Sequence, residues 1–148
     1  GPLWQEAWAA RLGAKIGLGP EGAELGQALL DRMAETGADF TVTFRTLAEG
    51  GPLPEGLAAW KADWRAELGR RGIAPEAAQA MMRRTNPAII PRNHRIEAAI
   101  AAAVAGDAGP FERLRRALAT PWEVAPEDDD LRAPPAAHEV VHATFCGT

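Results

Sequence analysis

The sequence predicts an all-α protein: a compact array of about seven short helices followed by an extended, acidic, Pro-rich C-terminal tail. Three observations carry that prediction. Apolar residues recur at steps of about three and four through successive segments, the spacing of one helix face. Gly and Pro punctuate those segments, leaving loops of about two to six residues. Strand-like alternation stands out only at Phe40–Phe44 (FTVTF), between helical patterns.

Gly1-Pro2 reads as the scar of a cleaved tag. The helical domain is therefore taken as residues 3–122 and the tail as 123–148. Leu3 to about Gly17 reads as a helix. Its stripe of Trp4, Trp8 and Leu12 is expected in the core, two indoles one turn apart being a large anchor. Gly17-Leu18-Gly19-Pro20 is a turn; it lacks phosphate-loop spacing and follows no strand. Glu21 to Thr36 is the second helix, with Leu25, Leu29 and Met33 inward, Leu30 beside them and Gly37 as C-cap. Asp39 is placed to N-cap the next segment. That segment, Phe40 to Glu49, has β-favouring Thr and Val, but Phe40, Phe44 and Leu47 fall at i, i+4 and i+7, and a helix is chosen. Pro54 to Gly69 is amphipathic, with Leu57, Trp60, Trp64 and Leu68 on one face. Pro75 suits the first turn of a helix running to about Arg84, with Met81 and Met82 as adaptable filler.

Thr85–Asn93 (TNPAIIPRN) is the pivot of the chain. The residue before a proline is pushed out of the α region, so Asn86-Pro87 breaks the preceding helix, and Pro91 repeats the punctuation. Asn86, Pro87, Arg92 and Asn93 are read as a structural elbow whose polar side chains satisfy backbone groups at the helix junction. Asn93 to Ala105 is the best helix former, with Ile96, Ile100, Ala103 and Val104 inward and Gly106 as stop. Pro110 opens the last helix, with Phe111, Leu114 and Leu118 inward. Thr120-Pro121-Trp122 ends the helical part. Glu123 to Pro135 (EVAPEDDDLRAPP) is expected to be extended or disordered.

A chain of 148 residues with 47% hydrophobic and 24% charged residues can bury a real core. A net charge of −4 gives no global attraction for nucleic acid, and the pairs Arg70-Arg71, Arg83-Arg84 and Arg115-Arg116 read as solvated helix faces. No apolar run approaches the length of a membrane span, and no signal peptide is visible. A single cysteine excludes an internal disulfide framework and fits a reducing compartment, so a cytoplasmic location is expected.

Chemistry-bearing patterns are few. His138-Glu139-Val140-Val141-His142 has HExxH spacing, which on a helix sets two imidazoles toward one zinc with Glu as general base; Cys146 would be a third ligand. The motif follows Pro134-Pro135, however, and only six residues remain after it. Its valines suit an extended chain, in which the histidines lie about 13 Å apart. A terminal strand or coil is the competing reading. Cys146 is either an inert thiol or a redox-active one. His94 stands alone as a candidate base, with structural hydrogen bonding as the alternative. Glu127, Asp128, Asp129 and Asp130 lack the ladder of an EF-hand and read as a solvated run. No phosphate loop, catalytic triad or kinase-type Lys–Glu–Asp set is present.

The order of several motifs nevertheless resembles the C-terminal region of the SelO (selenoprotein O, YdiU) family. Asn86-Pro87, Ile89-Ile90 and Arg92-Asn93 match its Asn-Pro, apolar pair and Arg-Asn. Ala105-Gly106-Asp107, the leucines 114 and 118, Thr120-Pro121-Trp122, an acidic stretch and Pro134-Pro135 follow in the family's order. Cys146-Gly147-Thr148 matches its terminal Cys or selenocysteine with two small residues after it. Asp39-Phe40-Thr41 and Thr43-Phe44-Arg45 resemble two further signatures. Pro91 departs from the pattern, and HEVVH is no part of it.

The resemblance implies a region of a pseudokinase-like protein adenylyltransferase, an enzyme that moves AMP from ATP to protein hydroxyls with Mg²⁺. Its ATP- and Mg-binding residues belong to a kinase-like lobe upstream of the matched region, and none maps onto this sequence. The implied partners are that lobe and, through the full-length enzyme, its protein substrates. The chain itself is expected to hold no cofactor and to be inactive alone. Family members can link the terminal Cys to a cysteine of the catalytic region, which gives Cys146 an implied redox role.

Overall fold

A computed structural model describes residues 1–141. Seven α-helices account for most of them: α1 (Pro2–Lys15), α2 (Ala23–Thr36), α3 (Phe40–Ala48), α4 (Ala58–Arg70), α5 (Pro75–Thr85), α6 (Asn93–Val104) and α7 (Gly109–Ala119). No strand occurs among the described residues. The chain divides into two compact units after Pro87, inside the pivot stretch.

The first unit, residues 1–87, packs α1 against α2 and α5, and α3 against α5. Ile16, Leu29, Phe44, Leu47, Leu57 and Met82 are fully buried at its centre. Trp60 and Trp64 stack with ring centroids 6.3 Å apart, and each indole N–H donates to a backbone carbonyl, Leu25 O and Ile16 O respectively, at 2.8 Å. Two large aromatic bodies are thus buried without stranding their polar edges. The ambiguous FTVTF segment is helical. The Asp39 carboxylate accepts from Val42 N at 2.8 Å, satisfying an amide that the first turn leaves free. Gly37 ends α2 at φ +65°, the left-handed cap that a residue without Cβ adopts freely. Gly13 meets a steric demand of another kind: a Cβ there would lie 1.6 Å from Gly19 O.

Two expectations for this unit are corrected. Trp4 and Trp8 are 66% and 44% exposed, and only Leu12 of their stripe enters the core. The first half of α1 runs beyond the elements that cover its second half. Phe40 is likewise 47% exposed; α3 buries Thr43, Phe44, Leu47 and Ala48 instead.

In the second unit, which begins at Ala88, α6 and α7 pack together around Ile89, Leu114, Ala117 and Leu131, with Ile96, Leu118 and Val124 partly buried beside them. Ile100, Val104 and Phe111, expected inward, are exposed. Ala99 and Ala117 are buried instead, because small side chains let the helices approach closely. Ile96, Ile100, Phe111 and Leu118 help line an open apolar groove of about 550 Å³. The acidic stretch is not extended throughout. Pro126–Arg132 coils into a 3-10 turn that buries Leu131 and Asp128. Arg113 makes this possible: its guanidinium donates to Asp128 Oδ1 at 2.8 Å and pairs also with Asp130. These contacts hold the Asp130 carboxyl below its usual range and raise the Arg113 value.

Gly13→Ala should cost about 2–3 kcal/mol in urea unfolding, because backbone must move to admit the methyl group. Gly69→Ala, on α4 with open space around it, should be neutral or stabilising by up to about 1 kcal/mol.

Candidate functional site

The pivot divides into two differently built halves. Asn86 closes the first unit. It takes extended backbone, φ −105° and ψ 108°, as the following proline demands. Its amide N–H still donates to Met82 O at 2.8 Å. Its Nδ2 donates to Lys15 O at 2.8 Å, while its Oδ1 accepts from Lys15 Nζ at 3.2 Å. Its own carbonyl accepts from Arg45 Nη1 at 3.1 Å. Lys15 lies over the rings of Phe40 and Phe44, 5.0 and 5.2 Å from their centroids. Burial, and then the charge of Arg11, lower the Lys15 value. Arg45 is itself buried and donates through Nε to Glu49 at 2.6 Å. This is a tie between helix ends, with each polar group occupied.

Ala88 to Asn93 belong to the second unit. Ala88 N and Ile89 N both donate to Pro121 O, at 2.8 and 3.1 Å. Arg92 is buried and stands at the N-cap of α6, whose first turn receives no side-chain cap. Asn93 is exposed. His94 is buried, and its Nε2 has no hydrogen-bond partner among the described residues. Burial and the charge of Arg95 push its pKa below the usual 6.5.

Arg92, Asn93 and His94 line a cleft of about 320 Å³ together with Glu139 and Val140. His138 and Glu139 sit in the short 3-10 turn Ala137–Glu139, and Val140 is extended. Glu139 Oε2 accepts from Ala136 N at 2.8 Å, which with neighbouring His94 lowers its pKa. The first half of HEVVH therefore forms no α-helical metal face. His142 and Cys146 lie outside the described residues, and among the described residues no His, Cys, Asp and Glu cluster is placed to hold a metal. The cleft's described lining includes no Ser, Thr, Cys or Lys, so no nucleophile faces His94 there. The arrangement can bind a small polar group but shows no pairing for bond cleavage.

A second polar cleft, in the first unit, is lined by Glu21, Glu24, Asp63, Glu67, Arg70 and Arg71. Glu21, Glu67, Arg70 and Arg71 pair with one another. Arg70 and Arg71 donate to Glu67 and hold its pKa down to about 2. Sequence reasoning missed the partners Lys15 and Arg45 for Asn86, and Arg113 for Asp128. Sequence separations of 71 and 41 residues give the Asn86 contacts no local signal.

Comparison with known proteins agrees with the motif order. No family model matches the chain. The chain is 50% identical over 154 residues to a protein named Protein nucleotidyltransferase YdiU from Ruegeria sp. strain TM1040, and 49% identical over 153 residues to one of that name from Jannaschia sp. strain CCS1. These matches cover 99% and 96% of this chain but 32% of each relative. A Rhizobium etli strain CIAT 652 protein of that name is 43% identical over 165 residues, covering all of this chain. The chain thus spans about a third of the length of the curated relatives it matches.

Asn86→Ala should lower stability by about 1–3 kcal/mol, since it takes the partner from the part-buried Lys15 O, whereas exposed Asn93→Ala should stay within about 0.5 kcal/mol in the same denaturation assay. For His94 the sign runs toward acid loss. The unfolded chain takes up the proton near pH 6.5 and the folded chain only at lower pH, so stability falls as pH drops below 6.5. Urea midpoints at about pH 7.5 and 5.5 should differ less in His94→Gln than in the parent.

Proposed function

The chain belongs, along its whole length, with the YdiU proteins of the SelO family, and from that kinship we propose that it is the C-terminal, non-catalytic region of a protein adenylyltransferase. In this reading a kinase-like lobe outside the chain binds ATP and Mg²⁺. A protein hydroxyl attacks the α-phosphorus, AMP is transferred and pyrophosphate leaves. The helical region supports that lobe, and Cys146 gives the protein a thiol that responds to redox state. The supporting observation is the combination of a whole-chain match with partial coverage of relatives named nucleotidyltransferases. The sites point the same way: Asn86 of the pivot is spent on a helix junction, and the described lining of the His94 cleft has no nucleophile. No helix among the described residues is long and apolar enough to cross a membrane; a bacterial cytoplasmic location is part of the same proposal.

Among the described residues the zinc-hydrolase alternative has no supporting contact, and Glu139 is bonded to Ala136 N in a 3-10 turn. Nucleic-acid binding is not favoured either. Of the arginine pairs, Arg70 and Arg71 are engaged with Glu67.

The isolated chain should give no heat of Mg-ATP binding in titration calorimetry and should add no labelled AMP to protein. The same chain grafted into the Ruegeria relative in place of the matched third should do both. Tight Mg-ATP binding by the isolated chain would overturn the reading. In the grafted protein, Cys146→Ser should leave AMP transfer unchanged under reducing conditions and abolish any difference between reduced and oxidised samples.

A further inference from the structure

The most conspicuous unsatisfied feature of the first unit is the outer half of α1. Its first seven residues, Pro2 to Trp8, are all exposed, and they include Leu3 at 82%, Trp4 at 66% and Trp8 at 44%. The two indoles lie nearly parallel, 5° apart in plane, with centroids separated by 5.7 Å. One turn further on, Leu12 is only 3% exposed. The transition is abrupt, so half of the helix lies outside the core that holds the other half.

The exposed side is also continuous. Trp4, Trp8, Arg11 and Lys15 follow one another at steps of four, three and four along α1 and so share a face. Lys15 carries that face onto the half-exposed ring of Phe40. Arg11 has no ion pair among the described residues. A helix half with two stacked tryptophans in water gains little from its own hydrogen bonds, since short unsupported helices are marginal. Tryptophan is also among the side chains enriched at the energetic centre of protein interfaces.

Resting on the adenylyltransferase reading above, we propose that this face of α1 is the surface on which the remaining part of the enzyme docks. The occupant is identified by length and by the matched range. The relatives contain about twice as much chain again as the third matched here. Their match extends over as much as all of this chain, so α1 lies within it and is no appendage. The surface specifies its partner chemically: an apolar recess that admits two parallel indoles, with a carboxylate at its edge facing Arg11.

The test uses oxidative footprinting of tryptophan, read by mass spectrometry, on the isolated chain and on the full-length graft into the Ruegeria relative. Buried Trp60 and Trp64, each 5% exposed, serve as the slow internal standard. Trp4 and Trp8 should oxidise fast in the isolated chain and at least about tenfold more slowly in the graft, approaching the standard. Equal rates in a graft that transfers AMP would overturn the docking surface while leaving the proposed function intact. Protection in a graft that transfers none would do the reverse. If the graft does not fold, the chain is co-expressed with the complementary two thirds of the Ruegeria protein. Co-purification that is lost in Trp4→Glu/Trp8→Glu supports the proposal, and absence of co-purification overturns it. Sedimentation of the isolated chain covers the remaining occupant: a dimer abolished by the double variant would assign the face to a second copy instead.

Discussion

Asn86 turns its carboxamide onto the last residue of α1 and offers its own carbonyl to Arg45 of α3, while its amide closes α5 on Met82. Three helices therefore converge on one residue that is 1% exposed. A buried carboxamide left without partners would be costly, so these contacts are effectively all or none. The aromatic packing around it depends on the same register. Ile16 O, the acceptor for Trp64, is the neighbour of Lys15 O, the acceptor for Asn86. A shift of α1 along its axis would break both bonds together. The core supplies the adhesion here, and the polar tie selects one alignment of helices that apolar contacts alone would leave open.

Local patterns were readable where the physics is local. Glycine stops, the Asp39 cap and the spacing of Phe44 and Leu47 located helices whose ends agree with the structure to within a few residues. FTVTF turned helical because its cap and its i, i+4 and i+7 apolar contacts outweighed β-propensity, which expresses fit to a sheet that is absent among the described residues. Burial was less readable. Periodicity says which residues share a face but not how far along a helix the covering elements reach, and Trp4, Trp8, Ile100 and Val104 lie beyond that reach. The acidic run misled for a related reason. A cluster of like charges reads as solvated until the guanidinium that neutralises it is known, and Arg113 lies 15 residues before Asp128. The pivot announced itself as a break through its prolines, whereas its partners were contributed from distant helices.

The two units balance polar and apolar forces differently. The first has a large aromatic and aliphatic core with polar ties at its edge. The second has a small core, and its acidic turn is held by Arg113, with Arg95 and Arg116 nearby at 3.6 Å from their carboxylates. Exposed pairs of that kind contribute little singly, but Arg113, bonded to both Asp128 and Asp130, links them. Salt should therefore weaken the attachment of the Pro126–Arg132 turn more than it weakens the aromatic core of the first unit.

The paired bonds from Ala88 and Ile89 to Pro121 carry a consequence for the order of folding. They join the entry of α6 to the exit of α7, so the two helices form a ring closed through backbone. The α6–α7 contacts are local and can form early, at the speed of helices joined by a short turn. The closing bonds must wait until both helices are in place, and their entropic cost grows only slowly with the length enclosed. The last element to settle is then the strip from Ala88 to Pro91, at the seam where the chain passes from one unit to the next.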